Sequence, residues 1–430
     1  MGSTVIDIPQ GEGAVPCGKG KTKKFLDICC RQMVLILRET KSNRHGTRRV
    51  IHSIKVGIAL VSVSLLFLLD PVYEQVGDNA MWAIMTVVLI FEFFAGATLS
   101  KGLNRGIGTI LGGGLGCLAA ALAQAVGGVG KAIIVGIAVF IFGAAATYSR
   151  QVPKIKRKFD YGAMIFILTF NMVVVSGLRA EQVFEIARDR LAAVAMGFGV
   201  CLFISLLVFP IWASDELHDS VVSRFQLLAI SLEGFSKEYL GNVNENERKS
   251  GINFSSKCKS VLHTKTKDET LVNFARWEPW HGKFGFFYPW GKYLKIGEDL
   301  RDLATIILSL KPCLKSPIQP SESSSLGLGQ AVKEPCEAIV ASQARMLSEL
   351  GESIKKMKKC ESEDKISLKL KSMRQELSLV ASPSTVGTHH SAKTEGLGFA
   401  SFVYSMMEMI EKMEELAKQV EQLGQLGGFS

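Results

Sequence analysis

The chain has no HExxH, no CxxC and no Walker-type glycine loop, and its seven histidines are scattered. Metalloprotease chemistry, thiol–disulfide exchange and P-loop nucleotide hydrolysis therefore have no residues to work with. No Ser/His/Asp or Cys/His set is recognisable either, so neither an enzyme nor a cofactor is expected, and no firm metal site is readable. The nine cysteines (Cys17, Cys29, Cys30, Cys117, Cys201, Cys258, Cys313, Cys336 and Cys360) form no paired framework, which fits a reducing compartment. Apolar–polar alternation long enough for a sheet is missing. A cleavable leader is missing too: the first 50 residues are polar and basic, and long apolar runs begin only afterwards.

What is present is uneven. The 430 residues are 47% hydrophobic yet 21% charged, with nearly all long apolar runs between residues 51 and 212. That division predicts an all-α polytopic membrane protein with a soluble helical half. Three regions are expected: 1–50, a cytosolic N-terminal segment; 51–212, a six-helix transmembrane domain; and 213–430, a cytosolic helical domain. Six stretches near 51–69, 80–99, 103–125, 131–149, 160–177 and 190–212 have the length a hydrocarbon core requires. The net charge of +10 sits beside these runs, so it reads as orientation and anion handling, with no nucleic-acid partner. Residues 25–39 are apolar but too short to span. They predict a helix lying in the membrane interface, where Cys29 and Cys30 are either acylated or buried.

The positive-inside rule orients the spans. Lysines and arginines crowd the first 50 residues and the connection 150–158, whereas the connection after the first span carries only Asp70, Glu74 and Asp78. Both termini are thereby expected in the cytosol. Gly108, Gly112 and Gly116 are spaced four apart, the pattern that lets helices approach closely in lipid. After Pro210, Ser214 is expected to cap a helix with Asp215 and Glu216 in its first turn. Further helices are expected near 256–275, 292–310, 331–360, 365–381 and 398–424, with linkers over 311–330 and 382–397.

The most informative stretch is 79–109. It places Trp82 where an interfacial aromatic would sit, Glu92 deep in a span, a turn at Ser100-Lys101-Gly102, and Arg105 at the start of the next span. Charges inside spans mark functional sites by default. Arg105 and Arg190 are the leading candidates for an anion pathway, with Lys101, Arg179 and Lys55 behind them; snorkelling to lipid phosphates is the competing reading for Lys101 and Lys55. Arg188 is expected to pair with Glu185 or Asp189. Glu92 reads either as a proton relay or as a counter-ion to Lys101 or Arg105. Arg105 and Arg190 are expected at two levels of the path, because their spans begin on opposite faces. Glu74, Asp78, Glu181 and Glu185 offer hard oxygen ligands on the outer rim, a possible cation site. Residues 277–293 hold seven aromatic residues before Tyr293 and two prolines, and predict a structural plug between the soluble helices or under the membrane bundle.

The segments NAMWAIMTVVLIFEF, GATLSKGLNRG, KFDYGAMIFILTF and WEPWHGKFGFFYPW closely resemble the plant aluminium-activated malate transporter family, over residues 48–293. The resemblance implies a homodimeric anion channel in membrane lipid, passing malate and, in some members, chloride, nitrate or sulfate. It carries the family's basic pore onto Arg105 and Arg190, and the acidic residues of aluminium-gated relatives onto Glu74, Glu181 and Glu185. It favours the plasma membrane, with the vacuolar membrane as alternative. The expected function is passive conduction of malate and other anions through an Arg/Lys-lined pore. Two other readings stand beside it: a proton- or ion-coupled organic-acid exporter with Glu92 as relay, and a membrane-tethered interaction protein without transport.

Overall fold

A computed structural model describes residues 44–67, 80–177, 183–240, 254–285, 287–314, 330–359, 363–380 and 393–429. Among these residues every regular element is a helix. The N-terminal half contributes α1 (Arg44–Phe67), α2 (Ala80–Ile90), α3 (Ala95–Val126), α4 (Gly128–Gln151), α5 (Pro153–Ser176) and α6 (Val183–Leu207). The C-terminal half contributes α7 (Ala213–Phe235), α8 (Phe254–Leu262), α9 (Lys265–Ala275), α10 (Trp290–Leu314), α11 (Gln330–Lys356), α12 (Glu363–Val380) and α13 (Lys393–Gly427). The segment 25–39 lies outside the described residues.

Among the described residues five helices are long and apolar enough to cross a membrane: α1, α3, α4, α5 and α6. The expected second span is different. Its helix α2 stops after 11 residues at Ile90, and the chain breaks at Phe91–Phe94. Helix α3 then runs 32 residues without interruption, straight through Ser100-Lys101-Gly102, where the sequence had suggested a turn. Tertiary partners hold the break open. The Thr98 hydroxyl accepts the Glu92 amide at 3.0 Å, and the Ala95 amide donates to the Ile211 carbonyl at 3.0 Å. Backbone groups freed in lipid must find such partners. Glu92 consequently sits at this break and not deep within a span.

The helices of the membrane half form two larger apolar clusters and a small third one, Ala120 and Val173 packed with Cys117 and Ala187. Ala59, Val63, Ala83, Val87, Ala193 and Ile204 join α1, α2 and α6. Ala119, Ala123, Val135, Phe170 and Val174 join α3, α4 and α5. Within the second cluster the glycine stripe does what its spacing predicted. A Cβ on Gly112 would lie 2.7 Å from the Phe166 carbonyl oxygen, and one on Gly108 2.5 Å from that of Gly162. The connection between α3 and α4 turns on Gly127 and Gly128 alone, at φ of 64° and 54°, a region that other residues rarely enter. Ile133, Ile137, Phe140 and Ile141 on α4 are exposed, as a lipid-facing surface requires.

The C-terminal helices share one continuous core, from Ala213 to Phe429. The expected 256–275 helix is two, α8 and α9, separated by a turn at His263 and Thr264. This body meets the membrane half beneath α3: Phe94 lies against Phe274, 6.3 Å between ring centroids, and Arg48 at the start of α1 pairs with Glu216 of α7 at 2.6 Å.

Candidate functional site

The two larger clusters flank a seam between α3 and α6, which holds a small apolar patch (Ala120, Val173 and Ala187) and two buried cations. Arg105 lies ten residues into α3 and Arg190 seven residues into α6. They are the two largest fully buried side chains among the described residues, 2% and 1% exposed. Arg105 Nη1 donates to the Tyr161 hydroxyl of α5 at 3.1 Å. Arg190 lies flat against Trp82, its guanidinium carbon 3.9 Å from the ring centroid, and its Nη1 points at the Met172 sulfur. The Nε of each arginine has no acceptor among the described residues.

Two consequences follow. Arg105 lies close enough to Arg190 for the two charges to repel each other. Neither arginine has a carboxylate partner among the described residues. The ion pairs of the membrane half among the described residues are Arg48–Glu216, Lys101–Glu92, Arg150–Asp160 and Arg188–Asp189. A buried charge left without its partner typically costs about 3–5 kcal/mol. Nearby, the Thr109 and Thr169 hydroxyls are buried without partners among the described residues. Trp82, expected as an interfacial aromatic, is half-buried and stands over Arg190. The arrangement can offer hydrogen-bond donors and positive charge to a small anion.

The family model described as "Aluminium activated malate transporter" matches residues 41–384. The chain belongs to that family. Aluminum-activated malate transporter 14 of Arabidopsis thaliana is 40% identical over 352 residues, covering 80% of this chain and 64% of the relative. Transporter 12 of the same plant is 43% identical over 320 residues, 74% of this chain and 56% of the relative. Transporter 1 of Triticum aestivum is 35% identical over 322 residues, 73% and 70%. The chain thus spans about three fifths of the length of the first two of these relatives, 64% and 56%.

The other charges of this family member are distributed around the seam. Lys55 is 2% exposed and donates to the Ser205 carbonyl at 3.3 Å, so it does not snorkel. Glu92 is paired with Lys101, whose ammonium also lies 6.0 Å from the Tyr161 ring centre. Lys101 and Arg105 therefore approach the same tyrosine from two sides. Glu185 is exposed in the first turn of α6, and Arg188 pairs with Asp189. Arg179, Glu74, Asp78 and Glu181 lie outside the described residues. Among the described residues no cluster of three or more His, Cys, Asp or Glu is placed to hold a metal.

Sequence reasoning singled out both arginines, and Trp82 though not as a partner of Arg190, but missed Tyr161, Met172, Thr109 and Thr169. Only Thr109 carried a signal, one turn beyond Arg105 on the same helix face. It also misassigned the cap of α7. The carboxylate of Glu278 accepts the Ala213 and Ser214 amides at 2.6 and 3.1 Å, and the Ser214 hydroxyl at 2.6 Å. Burial pushes the Glu278 carboxyl above the usual range, and these hydrogen bonds pull against it. His281 touches the Ser214 hydroxyl at 2.9 Å and stacks on Trp212, 3.8 Å between centroids. The aromatic stretch thereby clamps the chain where α6 passes into the C-terminal helices.

Proposed function

We propose that this protein lets malate and other small anions cross a plant membrane passively, past Arg105 and Arg190. One observation carries the reading: two buried, mutually repelling guanidiniums with no carboxylate among the described residues. A visiting anion offsets part of the repulsion and burial cost of such a pair. Fixed guanidiniums replace part of the hydration an anion loses on entry. A dicarboxylate, with two charges, gains more from them than chloride does. The relatives named above are malate transporters by name, which supports the same substrate class. Each charge moving through 100 mV gains about 2.3 kcal/mol, so an inside-negative membrane drives malate outward without ATP.

In this reading Lys101, Lys55 and Arg179 add positive potential along the path, and both termini and the C-terminal helices face the cytosol. The working unit is a homodimer in the plasma membrane. The coupled-exporter alternative needs Glu92 free to exchange a proton. Its tie to Lys101 favours the passive route.

Reversal potentials in planar bilayers test the proposal. They should follow the malate, nitrate and chloride gradients alone. A shift with an imposed proton gradient at fixed anion concentrations would establish coupled export instead. Absence of any anion current over a range of voltages and malate concentrations would favour a non-transporting interaction protein.

A further inference from the structure

A second anion-binding feature lies away from the seam, at the foot of the membrane half. A cavity of about 580 Å³ is walled by Ser100 of α3, Lys158 and Phe159 of α5, Glu269 of α9, and Arg276 and Trp277 beyond it. Its position is fixed by the helices that line it. The apolar stretches of α3 and α5 begin at Ala95 and Lys158, so Ser100 and Phe159 lie in their opening turns. Helix α9 and Trp277 belong to the C-terminal body. The cavity therefore straddles the boundary between hydrocarbon and water.

Its chemistry matches that boundary. Lys158 and Arg276 are exposed and take no part in an ion pair among the described residues. Glu269 opposes them, leaving the lining with a net charge of one positive. Phe159 (45% exposed) and Trp277 (37% exposed) supply an apolar rim. Aromatic side chains of this kind favour the headgroup level of a bilayer. Lys154 and Lys156, on the first turn of α5, are also exposed but lie outside the cavity lining.

We propose that this cavity binds the headgroup of a singly charged anionic phospholipid. The phosphodiester lies between Lys158 and Arg276, and the acyl chains leave along Phe159 into the leaflet next to the C-terminal helices. A free phosphate ion uses the two cations but gains nothing from the aromatic rim. A zwitterionic headgroup brings its own cation to a wall that is already positive. The site touches the pathway helices: the Asn104 amide donates to the Lys158 carbonyl at 2.9 Å, and Asn104 precedes Arg105. A bound lipid would thus brace α5 against α3 one residue from the buried arginine. The inference does not depend on which anion passes the seam.

The test uses the full chain in neutral detergent, titrated with dioctanoyl phosphatidylglycerol, dioctanoyl phosphatidylcholine or inorganic phosphate while its melting temperature is followed. Phosphatidylglycerol should raise the melting temperature saturably, and the other two should not. At about 1 kcal/mol for each basic residue near a phosphate, the Lys158→Gln, Arg276→Gln double variant should bind phosphatidylglycerol about 30-fold more weakly. The Lys154→Gln, Lys156→Gln pair, outside the cavity, should keep the parental affinity. Phe159→Ser gives an independent check and should also weaken binding. Equal shifts with phosphatidylcholine, or an unchanged affinity in the cavity variants, would overturn the proposal. A full shift with inorganic phosphate would identify a soluble-anion site and overturn the lipid assignment.

Discussion

Arg105 and Arg190 differ in what supports them. Arg105 has one hydroxyl, from Tyr161, whereas Arg190 has a ring face and a sulfur, from Trp82 and Met172. Neither set supplies a negative charge, and a cation over an aromatic face gains only about 0.5–2 kcal/mol. Replacing either arginine by glutamate puts a repelling charge where the anion must pass. In the Arg105→Glu and Arg190→Glu variants we expect malate current to fall at least tenfold with the folded protein retained, measured by bilayer recording and size-exclusion chromatography. Parental current in both would refute their place in the path. Tyr161→Phe removes the single acceptor of Arg105 among the described residues. Losing a hydrogen bond to a charged group costs about 1.5–3 kcal/mol, and a denaturation midpoint shifted by that amount should accompany the change.

At the scale of elements, two contacts organise the fold. The first is the close approach of α3 to α5. Gly112→Val would drive side-chain carbons toward a backbone carbonyl that cannot yield, and overpacking of this kind costs about 1–3 kcal/mol. Gly114→Ala, whose Cβ would meet nothing within 4 Å, should leave stability unchanged or slightly raised, since alanine is the better helix former. Thermal melts of the two variants in detergent separate packing from propensity. The second contact is the Glu278 clamp on the first turn of α7. Glu278→Gln keeps the shape but replaces one acceptor oxygen by a donor that faces backbone amides. A loss of about 0.5–2 kcal/mol is expected, as for other helix caps. A melt indistinguishable from the parent would show that the cap contributes nothing.

The whole molecule responds to acid through its C-terminal body. His218 on α7 is buried, bonded to the Tyr293 hydroxyl of α10 at 2.8 Å and set against Phe284, 5.7 Å between ring centroids. Burial lowers its affinity for a proton below the ordinary value of 6.5, and Asp219 and Asp215 pull weakly the other way. Because the folded value lies below the unfolded one, the stabilisation is present above about pH 6.5 and is lost as pH falls through the lowered native value. Glu278 runs the opposite way. Its raised native value makes stability fall as pH rises from about 4.5 through that value. Melting temperature should therefore drop between pH 7 and pH 5.5, and His218→Gln should flatten that slope. An identical slope in the variant would remove His218 as the cause.

Much of this architecture was readable from the chain. Apolar length located α1, α4, α5 and α6 with ends within about seven residues, because a membrane core demands about 20 apolar residues whatever their partners. Glycine spacing named the face of α3 that meets α5, because only small residues let two backbones touch. Arg105 and Arg190 declared themselves, because a guanidinium in an apolar run is too costly to be incidental. The sequence could not locate the break at Phe91–Phe94. That segment holds neither glycine nor proline, while the apparent turn at Ser100-Lys101-Gly102 is rich in turn formers. The choice between them was made by Thr98 and the Ile211 carbonyl, which satisfy the interrupted backbone, and by Phe198, which fills the space over Gly102. Nor could it bring Trp82, Tyr161 and Met172 around the arginines, or place Glu278 on the first turn of α7, 65 positions after Ala213. What the sequence determined by itself is therefore what burial in lipid costs residue by residue: the spans, their small-residue faces and the two guanidiniums. What only the tertiary structure decided is who satisfies whom, because hydrogen bonds and charges are met by neighbours in space, and those neighbours lie 6 to 168 residues apart along the chain.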